Sequence, residues 1–159
     1  MDIYEFAIKM EQDGEQFYRK AAGDTRDRGM RRILTLLADD EVKHRSTLEQ
    51  MRQAASAQMA ETSVLADAKN VFSQMQGHVP NLRGLQTDVY LQAQEIERQS
   101  HQFYMEKADQ VSDPSHRALF VRIAEEERQH LLLLEHVIEF LSRPKVWIEN
   151  AEFNHLDEY

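Results

Sequence analysis

Two stretches of this chain repeat one pattern. Ala38-Asp39-Asp40-Glu41-Val42-Lys43-His44 returns as Ala124-Glu125-Glu126-Glu127-Arg128-Gln129-His130, and each closes on a glutamate, two further residues and a histidine. Glu41 becomes Glu127, an offset of 86 residues (127 − 41). The same offset, without gaps, sets Glu11 on Glu97, Phe17-Tyr18 on Phe103-Tyr104, and Ala22, Asp27, Arg31 and Leu48 on Ala108, Asp113, Arg117 and Leu134. A chain written this way is two copies of one helical hairpin. Residues three apart on a helix share a face, so each phrase aims a carboxylate and an imidazole at one point, which is half of a metal site.

Composition agrees with helices. Only 5 Gly and 3 Pro punctuate 159 residues, which favours a few long helices over many short strands, and the length suits one domain with a substantial core. A net charge of −9 disfavours nucleic acid or an anionic membrane as partner and suits the attraction of cations. The absence of cysteine excludes disulfides, thiolate metal sites, iron–sulfur clusters and thiol catalysis. No apolar run reaches the roughly 18 residues of a membrane span, and Met1-Asp2-Ile3-Tyr4-Glu5 lacks the basic and apolar regions of a signal peptide. The expected compartment is the cytoplasm.

Asp2 with Glu5 reads as a capping box opening a helix to about Ala22, whose stripe is Tyr4, Ile8, Glu11, Gly14, Tyr18 and Ala22. After a turn at Gly23-Asp24-Thr25, a second helix from about Asp27 places Met30, Leu34, Leu37, Ala38, Glu41, His44, Leu48 and Met51 on one face. So short a turn predicts antiparallel packing. Residues from about Gln53 to Gln86 have no repeat mate; they have the length of a crossover, helical around Val64, Leu65, Ala68 and Phe72, and broken at Gly77-His78-Val79-Pro80-Asn81. The repeat resumes near Asp88 with Tyr90, Ala93, Gln94, Glu97, Ser100, His101 and Tyr104. Asp113-Pro114 starts its last helix, which carries Phe120, Ile123, Ala124, Glu127, His130, Leu134, Val137 and Leu141 inward and ends at Ser142-Arg143-Pro144. Residues 1–142 are expected to form the bundle. Residues 143–159, with Trp147, Ile148, Phe153 and Leu156, are expected to form a tail that docks on the bundle or on a second subunit.

Glu11, Glu41, His44, Glu97, Glu127 and His130 are the six candidate ligands. Their four carboxylates balance two divalent ions, and without such ions four buried carboxylates would repel one another and lose hydration. One imidazole per ion in a carboxylate-rich set suits two iron ions, with manganese or a mixed iron–manganese pair as alternatives; zinc prefers thiolates in structural sites, and magnesium seldom takes histidine. Asp39, Asp40, Glu125 and Glu126 fall off the inner stripe and read as solvated. Tyr18 and Tyr104 lie two turns beyond Glu11 and Glu97, to hydrogen-bond bridging carboxylates, donate electrons, or simply pack; Phe17 and Phe103 read as core. His101, four residues after Glu97, reads as a partner behind the ligands or an alternative ligand, and its repeat mate Glu15 as a surface or supporting residue. His78, His116, His136 and His155 lack a companion at ligand spacing and read as surface.

With these residues, the chain resembles a rubrerythrin-type member of the ferritin-like superfamily, whose di-metal carboxylate sites take one glutamate from each of two helices and a Glu-x-x-His pair from each of the other two. The resemblance covers roughly residues 1–142, and the closing Trp147 to His155 resembles the tail of a stand-alone subgroup. It implies an all-α, ferritin-like four-helix bundle of two repeated hairpins with a long crossover. It also implies a di-iron oxidoreductase that reduces peroxide, or oxygen, in oxidative stress, and a homodimer. Lacking cysteine, the chain would draw electrons from an external donor such as a rubredoxin. The family's extra glutamate, one turn after the third-helix ligand, falls on Ser100, which puts peroxide reduction in question. The alternative is an iron-binding or ferroxidase role in iron handling without peroxidase turnover; a third reading is a structural bundle stabilised by metal.

Overall fold

The computed structural model describes residues 2–53, 57, 59–74 and 87–142. Five helices run in chain order: α1 (Ile3–Asp24), α2 (Arg28–Gln53), α3 (Val64–Gln74), α4 (Thr87–Ala108) and α5 (Pro114–Ser142). There is no strand among the described residues, so the fold is all-α. No helix among them is long and apolar enough to cross a membrane.

The repeat is visible in the helix ends. Asp2 caps α1, its carboxylate accepting from the Glu5 N–H at 2.8 Å. Asp27 accepts from the Met30 N–H at 3.0 Å, and its repeat mate Asp113 accepts from those of Ser115 and His116 at 2.8 and 3.3 Å. Arg31 donates to the Thr25 carbonyl just as Arg117 donates to that of Val111, pinning each turn to the helix it opens. Gly23 and Asp24 stay helical, and the chain leaves α1 at Thr25, whose backbone is extended.

Contacts along the seams fix direction. Arg52 pairs with Glu5, Arg45 with Glu15 and Arg19 with Asp39, so α2 descends as α1 rises. Glu97 meets His130 while His101 meets Ala124, which makes α4 and α5 antiparallel as well. The apolar stripes do not run unbroken. One cluster holds Tyr18, Leu34, Leu37, Tyr90, Leu134, Val137 and Phe140; a second holds Ala7, Leu48, Met51, Tyr104, Phe120 and Ile123. On every bundle helix the gap between these clusters is where the candidate ligands stand: Glu11, Glu41/His44, Glu97 and Glu127/His130.

The crossover helix α3 covers the first cluster with Val64, Ala68, Val71 and Phe72, and Phe72 meets Phe140 at 5.7 Å between ring centres. Residues 75–86, including the expected break at Gly77 to Asn81, and the docking tail expected over 143–159 lie outside the described residues.

Candidate metal centre

All six residues picked from the repeat meet at mid-bundle, and none exposes more than the 3% of Glu41. They form two overlapping sets. Glu11, Glu41, His44 and Glu127 each offer a ligand atom within 4.8 Å of one another, as do Glu41, Glu97, Glu127 and His130. Glu41 and Glu127 therefore belong to both sets, while Glu11 with His44 and Glu97 with His130 belong to one each. The imidazoles of His44 and His130 stack at 5.8 Å, 18° from parallel.

Each imidazole is held from behind by a carboxylate of the opposite hairpin. His44 Nε2 donates to Glu126 Oε1 at 2.9 Å, and His130 Nε2 donates to Asp40 Oδ2 at 2.8 Å. That turns both Nδ1 atoms inward: His44 Nδ1 lies 2.9 Å from Glu127 Oε1, and His130 Nδ1 lies 3.2 Å from both Glu41 Oε1 and Glu97 Oε1. Asp40 and Glu126 are thus not the solvated residues expected from their place off the stripe. Glu126 is buried, and Asp40 also accepts from the Thr62 hydroxyl at 2.5 Å. Their neighbours Asp39 and Glu125 do face solvent, paired with Arg19 and Arg128. The signal for Asp40 and Glu126 was present in the sequence, since the 86-residue offset (126 − 40) lays one carboxylate on the other.

The tyrosines also cross between hairpins. Tyr18 donates to Glu97 Oε1 and Tyr104 to Glu11 Oε1, both at 2.5 Å. Each hydroxyl occupies one carboxylate oxygen and leaves the other, Oε2, without a hydrogen-bond partner. His101 stays outside both ligand sets, its Nδ1–H donating to the Ala124 carbonyl at 2.9 Å. Glu15 pairs with Arg19 and Arg45. Two histidines read as surface are buried. His116 packs against Tyr4, whose hydroxyl reaches its Nδ1 at 3.3 Å, and His136 shares a face of α5 with Leu133, Val137 and Phe140. His78 and His155 lie outside the described residues.

The electrostatics describe a cluster short of positive charge. Burial, then the neighbouring carboxylates Glu11, Glu127 and Glu97, push Glu41 well above the usual carboxylate range. Burial with Glu97 and Glu11 does the same to Glu127. For Glu11, burial acts upward, but the adjacent Glu41 carboxyl, the charge of His44 and the Tyr104 hydroxyl together outweigh it and hold the group low. Burial alone would favour neutral imidazoles, yet the carboxylates around them raise both His44 and His130 well above their ordinary value. Without another cation the cluster keeps protons in its place.

The donor set fits metal. Glu11 Oε2, Glu41 Oε1, His44 Nδ1, Glu97 Oε2 and both oxygens of Glu127 are buried with no hydrogen-bond partner. Such groups are rare in native interiors unless something else satisfies them, and a pair of cations satisfies all of them together. Gly14 makes room for this arrangement. A Cβ there would stand 2.9 Å from Glu41 Oε2, closer than real Cβ atoms come. Gly14→Ala should therefore displace the Glu41 carboxylate and weaken metal binding by about tenfold, the scale of a lost supporting contact. The metal-free melting temperature should hold or rise, because alanine gains up to ~1 kcal/mol over glycine inside a helix. Calorimetric metal titration beside a thermal melt checks both arms; unchanged affinity would show that Glu41 does not need the space.

Two antiparallel hairpins carrying two Glu-x-x-His pairs and two further glutamates, with Glu41 and Glu127 common to both sets, are the arrangement of a ferritin-like carboxylate bundle and could hold two metal ions. The rubrerythrin family model matches residues 2–138, and the chain belongs to that family of di-iron proteins. No curated protein and no solved structure matches the chain.

Proposed function

We propose that this protein is a di-iron oxidoreductase that reduces peroxide with electrons from an external donor protein, and that Glu11, Glu41, His44, Glu97, Glu127 and His130 are the iron ligands. One observation carries the reading: two ligand sets share Glu41 and Glu127, so two ions would sit side by side on common carboxylates. Bound iron supplies two electrons, which with two protons convert hydrogen peroxide to two waters by breaking its O–O bond. The chain's residues prepare that chemistry. Asp40 and Glu126 fix each imidazole with Nδ1 inward and make it a stronger donor. Tyr18 and Tyr104 hold Glu97 and Glu11 by one oxygen each and keep an O–H beside the cluster. The apolar clusters on either side exclude bulk water. With no cysteine in the sequence, a rubredoxin-like partner is the fitting electron source.

A second reading, iron handling without peroxidase turnover, draws support from Ser100. It is buried where the rubrerythrin pattern has an additional glutamate, and its hydroxyl is a much poorer iron ligand than a carboxylate. Rapid mixing of reduced, iron-loaded protein with peroxide and, separately, with oxygen distinguishes the two. The oxidoreductase reading expects peroxide to oxidise the iron faster than oxygen does, with repeated turnover once a donor is supplied. A single oxidation followed by release or accumulation of iron would overturn it in favour of iron handling.

A further inference from the structure

The tyrosine and outer imidazole hydrogen bonds of the two halves match. The tyrosine–glutamate bonds are both 2.5 Å, and the imidazole–carboxylate bonds are 2.9 and 2.8 Å. The offset lays Arg128 on Val42, but Arg128 pairs with the exposed Glu125; at the carboxylates behind the imidazoles, Lys43 is the charge that breaks the symmetry. Lys43 stands in the first phrase where the offset places Gln129 in the second. Its ammonium lies 2.8 Å from Glu126 Oε1 and 3.4 Å from Asp40 Oδ1, in the position a third cation would take between the two outer carboxylates.

Its effect on the two is unequal. Glu126 Oε1 is the very oxygen that accepts from His44 Nε2, so that acceptor is shared between an N–H and a full positive charge. On the other side Lys43 approaches Oδ1 of Asp40, while His130 uses Oδ2, whose second donor is the neutral hydroxyl of Thr62. A carboxylate behind an imidazole raises its basicity toward a metal, and a carboxylate already committed to an ammonium does so less.

We infer that Lys43 makes the two metal positions unequal, so that the ion on His44 and Glu11 binds more weakly and exchanges more readily than the ion on His130 and Glu97. A cleft of about 280 Å³ opens on Glu126 beside Thr62 and Gln129, so the outer partner of His44 lies next to the surface. The inference rests on the six residues binding two ions, and Lys43 acts in it as a positioning residue through Glu126.

Anaerobic calorimetric titration of the full chain with cobalt(II) tests it. The wild-type protein should take two ions in separate steps, and His44→Ala should delete the weaker step. Lys43→Gln, which copies Gln129, should tighten the weaker step by about tenfold, the lower end of what a partner behind a ligand is worth, and bring the steps together. Lys43→Arg should keep them apart; this variant and a thermal melt of each metal-free protein separate an effect of charge from a failure to fold. Two steps equally spaced in wild type and Lys43→Gln, or loss of the tighter step in His44→Ala, would overturn the role of Lys43 alone. Fewer than two ions bound by wild type would overturn the two-metal reading beneath it.

Discussion

Replacing Glu127 by glutamine should raise the melting temperature of the metal-free protein at pH 8 and remove its capacity to bind two metal ions. The opposed signs come from one source. Glu127 is fully buried, both its oxygens lack hydrogen-bond partners, and Glu97 and Glu11 push it away from ionisation. Glutamine keeps the volume, removes the charge and supplies an amide donor among carboxylates. The push against ionisation outweighs the attraction of His44, 2.9 Å from Glu127 Oε1; each tenfold by which the fold disfavours the charged form costs about 1.4 kcal/mol where the unfolded group is ionised, and each kcal/mol moves a melting temperature by roughly 2–4 °C in a chain of this size. Glu127 also stands in both ligand sets, so the amide weakens both positions, by at least ~100-fold, the upper end of what even partners behind the ligands cost. Thermal melts with and without manganese(II), beside a stoichiometric titration, read both effects. A lower metal-free melting temperature would mean that the carboxylate stabilises the fold by itself, and retention of two ions would remove Glu127 from the shared position.

The inner face of each helix was legible because a buried stripe has a period, and an acidic or imidazole side chain interrupting it at the same place in both repeats can only be explained by common burial. Period does not describe the seam between helices. Asp40 lies one residue before Glu41, turned about 100° from it around the helix, and on an isolated helix that direction reads as solvent. Only with α5 beside α2 does it become the side facing His130. The tyrosines were legible as neighbours of the site, but Tyr18 sits on the helix of Glu11 and bonds Glu97 of the other hairpin. That exchange belongs to the packing of α1 against α4 and leaves no mark on either helix alone. His116 and His136 were misread for a related reason: single histidines have no period, and their burial depends on Tyr4 and on how far the apolar face of α5 extends.

Metal-free protein should lose stability as the pH rises from about 6 to 9, whereas metal-loaded protein should not. Four groups are held above their ordinary values in the folded chain, Glu41 and Glu127 from 4.5 and His44 and His130 from 6.5. A group raised in this way favours the fold fully below its unfolded value, and that contribution is lost as pH climbs toward the folded value. The decline thus begins above 4.5 for the two glutamates and above 6.5 for the two histidines. Glu11, Asp40 and Glu126 are shifted downward and act in the opposite sense, stabilising above their ordinary values of 4.5, 3.8 and 4.5 and failing only in acid. The metal-free optimum therefore falls in mildly acidic solution. Metal reverses the alkaline slope because the ions replace protons: for each proton released on binding, affinity rises about tenfold per pH unit, and ligand-linked stabilisation rises with it. Melting curves between pH 5.5 and 8.5, with and without manganese(II) under nitrogen, should diverge steadily toward the alkaline end. Parallel curves would mean that metal displaces no protons from this cluster, and that its carboxylates and imidazoles are not what receives it.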